Sequence, residues 1–255
     1  MLWLIPSNDG EAIEIRRLLD EHRQNVIVTQ QPWGASWANL EPHIQAAVAK
    51  ASVVYAVELS GPAPPNAINI DHHDYSDDHS RMNTLSSLEQ IANILGIELN
   101  RWSKLVAAND RGYIDAMVRE LNASPQEIAA VRLADRRAQG VTQEEDSQAL
   151  RAVLGAQPQG NLWIVPVEGR LHSAYGDYLY SVRNAREWLL QATTEWAYSG
   201  PRHRQLMKLG LPEQHWCGGA PASGYFGIDS PSPPSQRAIL LALASGLPST
   251  PQSLT

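Results

Sequence analysis

The sequence predicts a two-domain α/β fold: an N-terminal parallel-sheet domain with helices on both faces, then a smaller C-terminal α/β domain. Three observations predict it. Short apolar runs alternate with helical patterns as far as residue 115. The runs at 2–6, 25–29, 53–59 and 67–70 are nearly continuous in apolar residues, as strands covered on both faces are. A fresh apolar run at 161–167 opens after a Pro- and Gly-containing stretch at 156–160, which places a boundary near residue 157.

The elements follow in order. Residues 2–6 (LWLIP) end in Ser7-Asn8-Asp9-Gly10, and Ala12, Ile13, Ile15, Leu18 and Leu19 come next at helical spacing. That is strand, polar turn, helix. Residues 25–29 (NVIVT) are a second strand, 44–51 an Ala-rich helix, 53–59 a third strand and 67–70 (AINI) a fourth. Leu88, Ile91, Ala92 and Leu95 share one face of a helix running from Leu85 to Gly96. Further helices are expected from Leu99 to about Ala108 and around 125–137, the latter with Ser124 as N-cap and Pro125 in its first turn. The second domain is expected to hold a strand at 161–167, a strand near 177–182, a helix at 184–192, a strand at 193–198 and a Gly-rich turn at 218–224. The domains are thus 1–156 and 157–247, with a disordered tail at 248–255.

Composition narrows the function classes. With 255 residues, 43% hydrophobic and 18% charged, the chain buries a real core. Asp and Glu number 27 against 20 Lys and Arg, a formal net charge of −7, which disfavours long duplex DNA and anionic membranes. The single cysteine, Cys217, excludes a disulfide framework and a Cys-rich zinc site. It has no basic neighbour in sequence that would make it a nucleophile. The start, MLWLIPSNDGE, has no cationic n-region and no long apolar run follows, so a soluble cytoplasmic protein is expected.

Polar clusters fall where predicted elements end. Asp9 and Glu11 follow the first strand, Glu58 ends the third, Asp71-His72-His73-Asp74 follow the fourth, and Asp110 follows the helix end at Ala108. The carboxyl ends of parallel strands share one edge, where ligands bind. Carboxylates gathered there repel one another, and a divalent cation relieves the repulsion. A mixed carboxylate and imidazole set suits Mn²⁺, and two such ions ~3.5–4 Å apart activate water for attack on a phosphoester. Plainer readings stand beside these: Asp9 as a helix cap, Glu58 as a solvated strand end, a single His as structural. Asp71-His72-His73 is different, because three such side chains at a buried strand's end are costly unless neutralised. Asp77-Asp78-His79 reads as an exposed loop.

Asn69-Ile70-Asp71-His72-His73 resembles the signature of the DHH phosphoesterase superfamily, which includes manganese-dependent pyrophosphatases, single-strand exonucleases, and oligoribonucleotide and cyclic-dinucleotide phosphodiesterases. Ser7-Asn8-Asp9-Gly10-Glu11-Ala12 resembles the family's first motif, Asn-Pro-Asp-Thr/Gly-Asp-Ala. Glu58 stands where the second motif has a bridging Asp, Thr84-Leu85-Ser86-Ser87 resembles the Ser/Thr-rich helix start, and Asn109-Asp110 the fourth motif. The resemblance implies one metal held by Glu11, Glu58, His72 and Asp110 and another by Asp9 and Glu58. The ion would be Mn²⁺, with Mg²⁺ or Co²⁺ as alternatives, one or two per chain. Asp71, His72 and His73 would be catalytic, Asp71 orienting His72 and His73 meeting the substrate phosphate. Ile5 stands where the family has a His, which removes a ligand from the second metal.

In the second domain, residues 218–224 (GGAPASG) resemble the family's Gly-Gly-His-Pro-x-Ala-Ser-Gly loop, with Ala220 in place of the His. Gly218, Gly219, Ser223 and Gly224 would offer backbone N–H groups to a phosphate, or equally form a tight turn. Arg202 and Arg204, near Lys208, read as phosphate partners or as a solvated basic loop. The Ser-Arg-Lys-Lys run of the pyrophosphatase branch is missing, which counts against pyrophosphate. The implied function is a metal-dependent phosphohydrolase or phosphodiesterase acting on a small phosphoester or short nucleotide through metal-activated water. A long strand would need an extended basic track. The alternative is a degenerate DHH-fold binding or scaffold protein with one metal or none. A homodimer is compatible with either. The eight Trp against one Phe serve packing or, at loops, base stacking.

Overall fold

A computed structural model of the chain describes residues 1–32, 34–72, 84–220 and 223–244. His73, the Asp77-Asp78-His79 segment, Trp33 and the expected tail at 248–255 lie outside the described residues. The chain divides into two compact units, Met1–Gly140 and Val141–Thr255.

Unit 1 begins with β1 (Leu2–Ile5), α1 (Gly10–Glu21), β2 (Val26–Val28), α2 (Pro42–Lys50), β3 (Val54–Val57) and β4 (Ala67–Ile70). It continues with α3 (Ser87–Leu95), α4 (Arg101–Leu121) and α5 (Pro125–Ala138). The sheet order is β2-β1-β3-β4 with every pairing parallel, registered by Trp3 on Val26, Leu2 on Val54 and Val57 on Ile70. All four residues of β1 are buried, so it is a central strand with helices over both faces. The chain runs outward from β1 in both directions, to β2 on one side and β3 on the other. A crevice opens at such a switch point, beyond the strands' carboxyl ends.

Local signals set the helix boundaries. Asp9 caps α1, its carboxylate accepting the Ala12 N–H at 2.8 Å. Ser86 and Glu89 form a capping box on α3, which stops at Gly96 in the left-handed conformation (φ 67°). Ser124 and Glu127 do the same for α5, with Pro125 in its first turn. The helix expected to end near Ala108 instead continues to Leu121 as α4, but it is broken at Gly112 and Tyr113. Tyr113 has φ 58°, a region that costs a non-glycine residue about 1–3 kcal/mol. Asp110 therefore sits in the last turn before a break, not after a helix end.

Unit 2 opens with α6 (Gln143–Gly155), followed by β5 (Pro158–Gln159), β6 (Leu162–Pro166), α7 (Ala174–Arg183), β7 (Trp188–Gln191) and β8 (Glu195–Gly200). Then come α8 (His203–Met207), β9 (His215–Ala220), β10 (Ser223–Asp229) and α9 (Pro233–Ala244). The sheet order is β5-β6-β7-β8-β10-β9, antiparallel except where β6 meets β7. Two expectations are corrected here. The segment near 177–182 is part of helix α7, because Tyr175 and Leu179, four residues apart, face the same core as Ala149 and Val153 of α6. The segment expected as a helix at 184–192 carries strand β7, whose adjacent Leu189 and Leu190 are buried in different cores. Asn184, left-handed at φ 51°, ends α7 between them. The packing of α6 onto α7 also puts residues 141–156 in the second unit, ahead of the boundary expected near 157. Among the described residues, no helix is long and apolar enough to cross a membrane.

Candidate metal centre

The carboxyl edge of the first sheet gathers four side chains from four separate elements. Glu11 lies in the first turn of α1, Glu58 directly follows β3, His72 follows β4, and Asp110 precedes the break in α4. One ligand atom from each lies within 4.8 Å of the others. His72 Nε2 is 2.9 Å from Asp110 Oδ2 and 3.5 Å from Glu58 Oε1, and the imidazole is fully buried.

The backbone around these groups is shaped to present them. Glu58 takes φ 52°, a left-handed conformation that favours Gly and Asn. Its carboxylate is held by the Ser87 hydroxyl at 2.8 Å. Glu11 is 4% exposed, and its Oε1 accepts the Leu88 N–H at 3.0 Å. The first turn of α3 thus serves both carboxylates, Glu58 through the Ser87 hydroxyl and Glu11 through a backbone N–H that the helix start leaves unpaired. Burial chiefly, and then the charges of Asp110 and Glu58, push the Glu11 carboxyl well above the ordinary range; the Leu88 N–H and Ser86 offset part of this.

The sign of that shift gives an expected result. A carboxyl whose pKa rises on folding carries no penalty below its unfolded value, about 4.5, and a growing one as pH rises toward its folded value. In chelator, the wild-type melting temperature should fall as pH rises above the ordinary carboxyl range more steeply than that of Glu11→Gln, which keeps the Leu88 contact and loses the charge. Parallel slopes would show that Glu11 is not the strained group.

The donor set fits one divalent cation. Ligands on opposite sides of an ion, with bonds of ~2.0–2.5 Å, lie ~4–5 Å apart, and the four donor atoms here span no more than 4.8 Å. Three carboxylates and an imidazole suit Mn²⁺ and its neighbours, and a cation would relieve the repulsion that raises Glu11.

The other residues singled out from sequence are placed as follows. Asp9 is outside the group of four and caps α1. Ile5 is fully buried in the core. Asp71 is buried, with its Oδ2 3.5 Å from Asn69 Nδ2 and its carbonyl accepting from Gln90. In unit 2, Arg202 is buried, its guanidinium engaged by the Glu187 carboxylate and the Leu243 carbonyl, while Arg204 is exposed on α8. Gly218 and Gly219 are not in a turn but in β9, opposite Tyr225 and Gly224 of β10, and Ser223 pairs with Ala220. The glycine run thus lies in the edge strand of this sheet, and a Cβ at Gly224 would lie 2.3 Å from the buried His203 ring. Sequence reasoning missed a polar group beside the centre: Arg132 and Asp135 of α5, both buried and hydrogen-bonded at 2.9 Å. The sequence held only a faint signal for them, their helical spacing beside the apolar Val131, which does not by itself tell a buried charge from a solvated one.

The whole-chain fold is similar to that of the pGpG-specific phosphodiesterase PggH from Vibrio cholerae, with a TM-score of 0.50 over 96% of this chain and 97% of that one. The two are 11% identical, so the likeness is one of fold, a parallel-sheet unit followed in the chain by a smaller mixed-sheet unit. No family model matches the chain, and no curated protein matches its sequence.

Proposed function

We propose that this chain hydrolyses phosphate esters of small, short substrates with the help of one divalent cation held by Glu11, Glu58, His72 and Asp110. The observation that carries the reading is the meeting of those four donors, from four elements, at the carboxyl edge of a parallel sheet. Bound there, the cation would lower the pKa of a water and stabilise charge on phosphoryl oxygens. The chain's own part is to hold the donors. Ser87 fixes Glu58, the Leu88 N–H fixes Glu11, and His72 must give up any proton on Nε2 to ligate. Mn²⁺ suits the set best. A buried Ile5 and an Asp9 engaged in capping favour one cation over two.

The substrate class draws support from the structural neighbour, a pGpG-specific phosphodiesterase, and from the net charge of −7, which suits a short ligand over a long strand. The test is to strip the protein of metal, titrate it with Mn²⁺, and assay pGpG, pApA and a simple aryl phosphate. One ion per chain with hydrolysis of a dinucleotide or the monoester is expected. Tight binding of one ion with no hydrolysis of any of the three would favour a binding module, and no bound ion would overturn the reading.

A further inference from the structure

We infer that Arg132, on α5, is a positioning residue of the metal centre that sets the spacing between Glu11 and Asp110; this rests on the reading above that those two are ligands. Arg132 is only 5% exposed. A single nitrogen, Nη1, donates to two acceptors: Asn109 Oδ1 at 3.0 Å and Asp135 Oδ2 at 2.9 Å. Asn109 adjoins Asp110 in α4. Asp135 uses its other oxygen, Oδ1, to accept the Gly10 N–H at 3.0 Å, and Gly10 adjoins Glu11 in α1. One guanidinium nitrogen therefore joins the backbone that carries one ligand to the backbone that carries another.

Two further observations concern the same device. The Arg132 guanidinium carbon lies 4.5 Å from the centre of the Tyr113 ring. Tyr113 is the left-handed residue at the break in α4, so Arg132 touches the chain on both sides of Asp110. At the other end, a Cβ on Gly10 would come within 3.1 Å of Asp135 Oδ1 and 3.2 Å of its Cα, so the α1 start lies tight against α5 and a side chain there would push Asp135. Gln139 donates at 2.9 Å to Asp135 Oδ2, the oxygen that Arg132 also uses, and adds a second donor to it. Side chains that orient metal ligands in this way typically change metal affinity 10- to 100-fold when removed.

A buried ion pair that served packing alone would lower the melting temperature and leave metal affinity untouched, and the test separates the two. Metal-free wild type, Arg132→Met, Arg132→Lys and Asn109→Ala are titrated with Mn²⁺ by calorimetry, and each is melted in chelator. Arg132→Met should weaken Mn²⁺ binding by about 10- to 100-fold at unchanged stoichiometry, and Arg132→Lys, which can restore one bond, should recover part of it. Asn109→Ala cuts only the hydrogen bond to α4 and leaves the Arg132–Asp135 pair and the Tyr113 contact in place, so it decides the matter if Arg132→Met does not fold. It should weaken binding with a melting temperature near that of wild type. Unchanged Mn²⁺ affinity in the folded variants would overturn the inference. Wild type that binds no Mn²⁺ would overturn the metal reading itself, and that arm is measured first.

Discussion

Asp110→Asn and His72→Ala should each abolish stoichiometric Mn²⁺ binding and lower phosphoester hydrolysis on the order of 10³-fold or more, with the fold retained. The two residues meet at 2.9 Å in the centre of the donor group. Asp110→Asn is isosteric and removes one of three carboxylate charges; His72→Ala removes the nitrogen donor. Charge stabilisation by a bound cation is worth several kcal/mol in a phosphoryl-transfer transition state, and about 4 kcal/mol corresponds to 10³ in rate. Because imidazole must be deprotonated to ligate, Mn²⁺ affinity in the wild type should also weaken as pH falls. The check is steady-state turnover on a dinucleotide beside ion counting on the same samples. A variant that keeps near-normal turnover without bound Mn²⁺ would place the chemistry elsewhere.

The second large effect is on stability and carries opposite signs in one variant. Saturating Mn²⁺ at 1,000 times its dissociation constant stabilises the folded state by about 4 kcal/mol. For a unit of this size that is on the order of 10 °C in melting temperature. Glu58→Gln should behave differently in each condition. It keeps an oxygen for the Ser87 hydroxyl and removes one charge from a crowded, buried group. In chelator it should therefore melt above wild type, and Mn²⁺ should shift it little. Unit 2, which holds none of the four donors, is the internal control. If Glu58→Gln melts below wild type in chelator, the carboxylates are not in conflict, and the site is a structural polar cluster instead of a metal centre.

Much of the first unit could be read from the sequence because its strands are short, apolar and covered on both faces. Runs such as LWLI and VYAV have few other places to go. Once those strands are taken as parallel, their ends must lie together, and Glu11, Glu58 and His72 follow from topology although 61 residues separate the first from the last. The Arg132–Asp135 link was hidden for the opposite reason. Charges on a helix read as a solvated face unless the acceptors are known, and here they come from the α1 start and from Asn109. The exchanged assignments of α7 and β7 have a local cause. Three apolar residues in a row, Tyr178-Leu179-Tyr180 and Trp188-Leu189-Leu190, fit either period, and what settled them was packing: α6 covers α7, and β7 lies beside β6. The Gly-Gly run was expected in a turn and lies in a strand because glycine is equally at home in both; Gly227 against Trp216 shows the strand use, pressed by an aromatic ring, in this sheet.

The left-handed Glu58 has a practical consequence for anyone engineering this chain. Position 58 is one where Gly or Asn would relieve backbone strain and electrostatic crowding together. A library sorted for heat tolerance in metal-depleted medium would be drawn to that codon early, enriching clones that are hardier and inert. Sorting with Mn²⁺ present reverses the pressure, since the ion then rewards the residue that the bare backbone resists. The buffer, as much as the selection threshold, would decide whether such an experiment improves the protein or quietly disarms it.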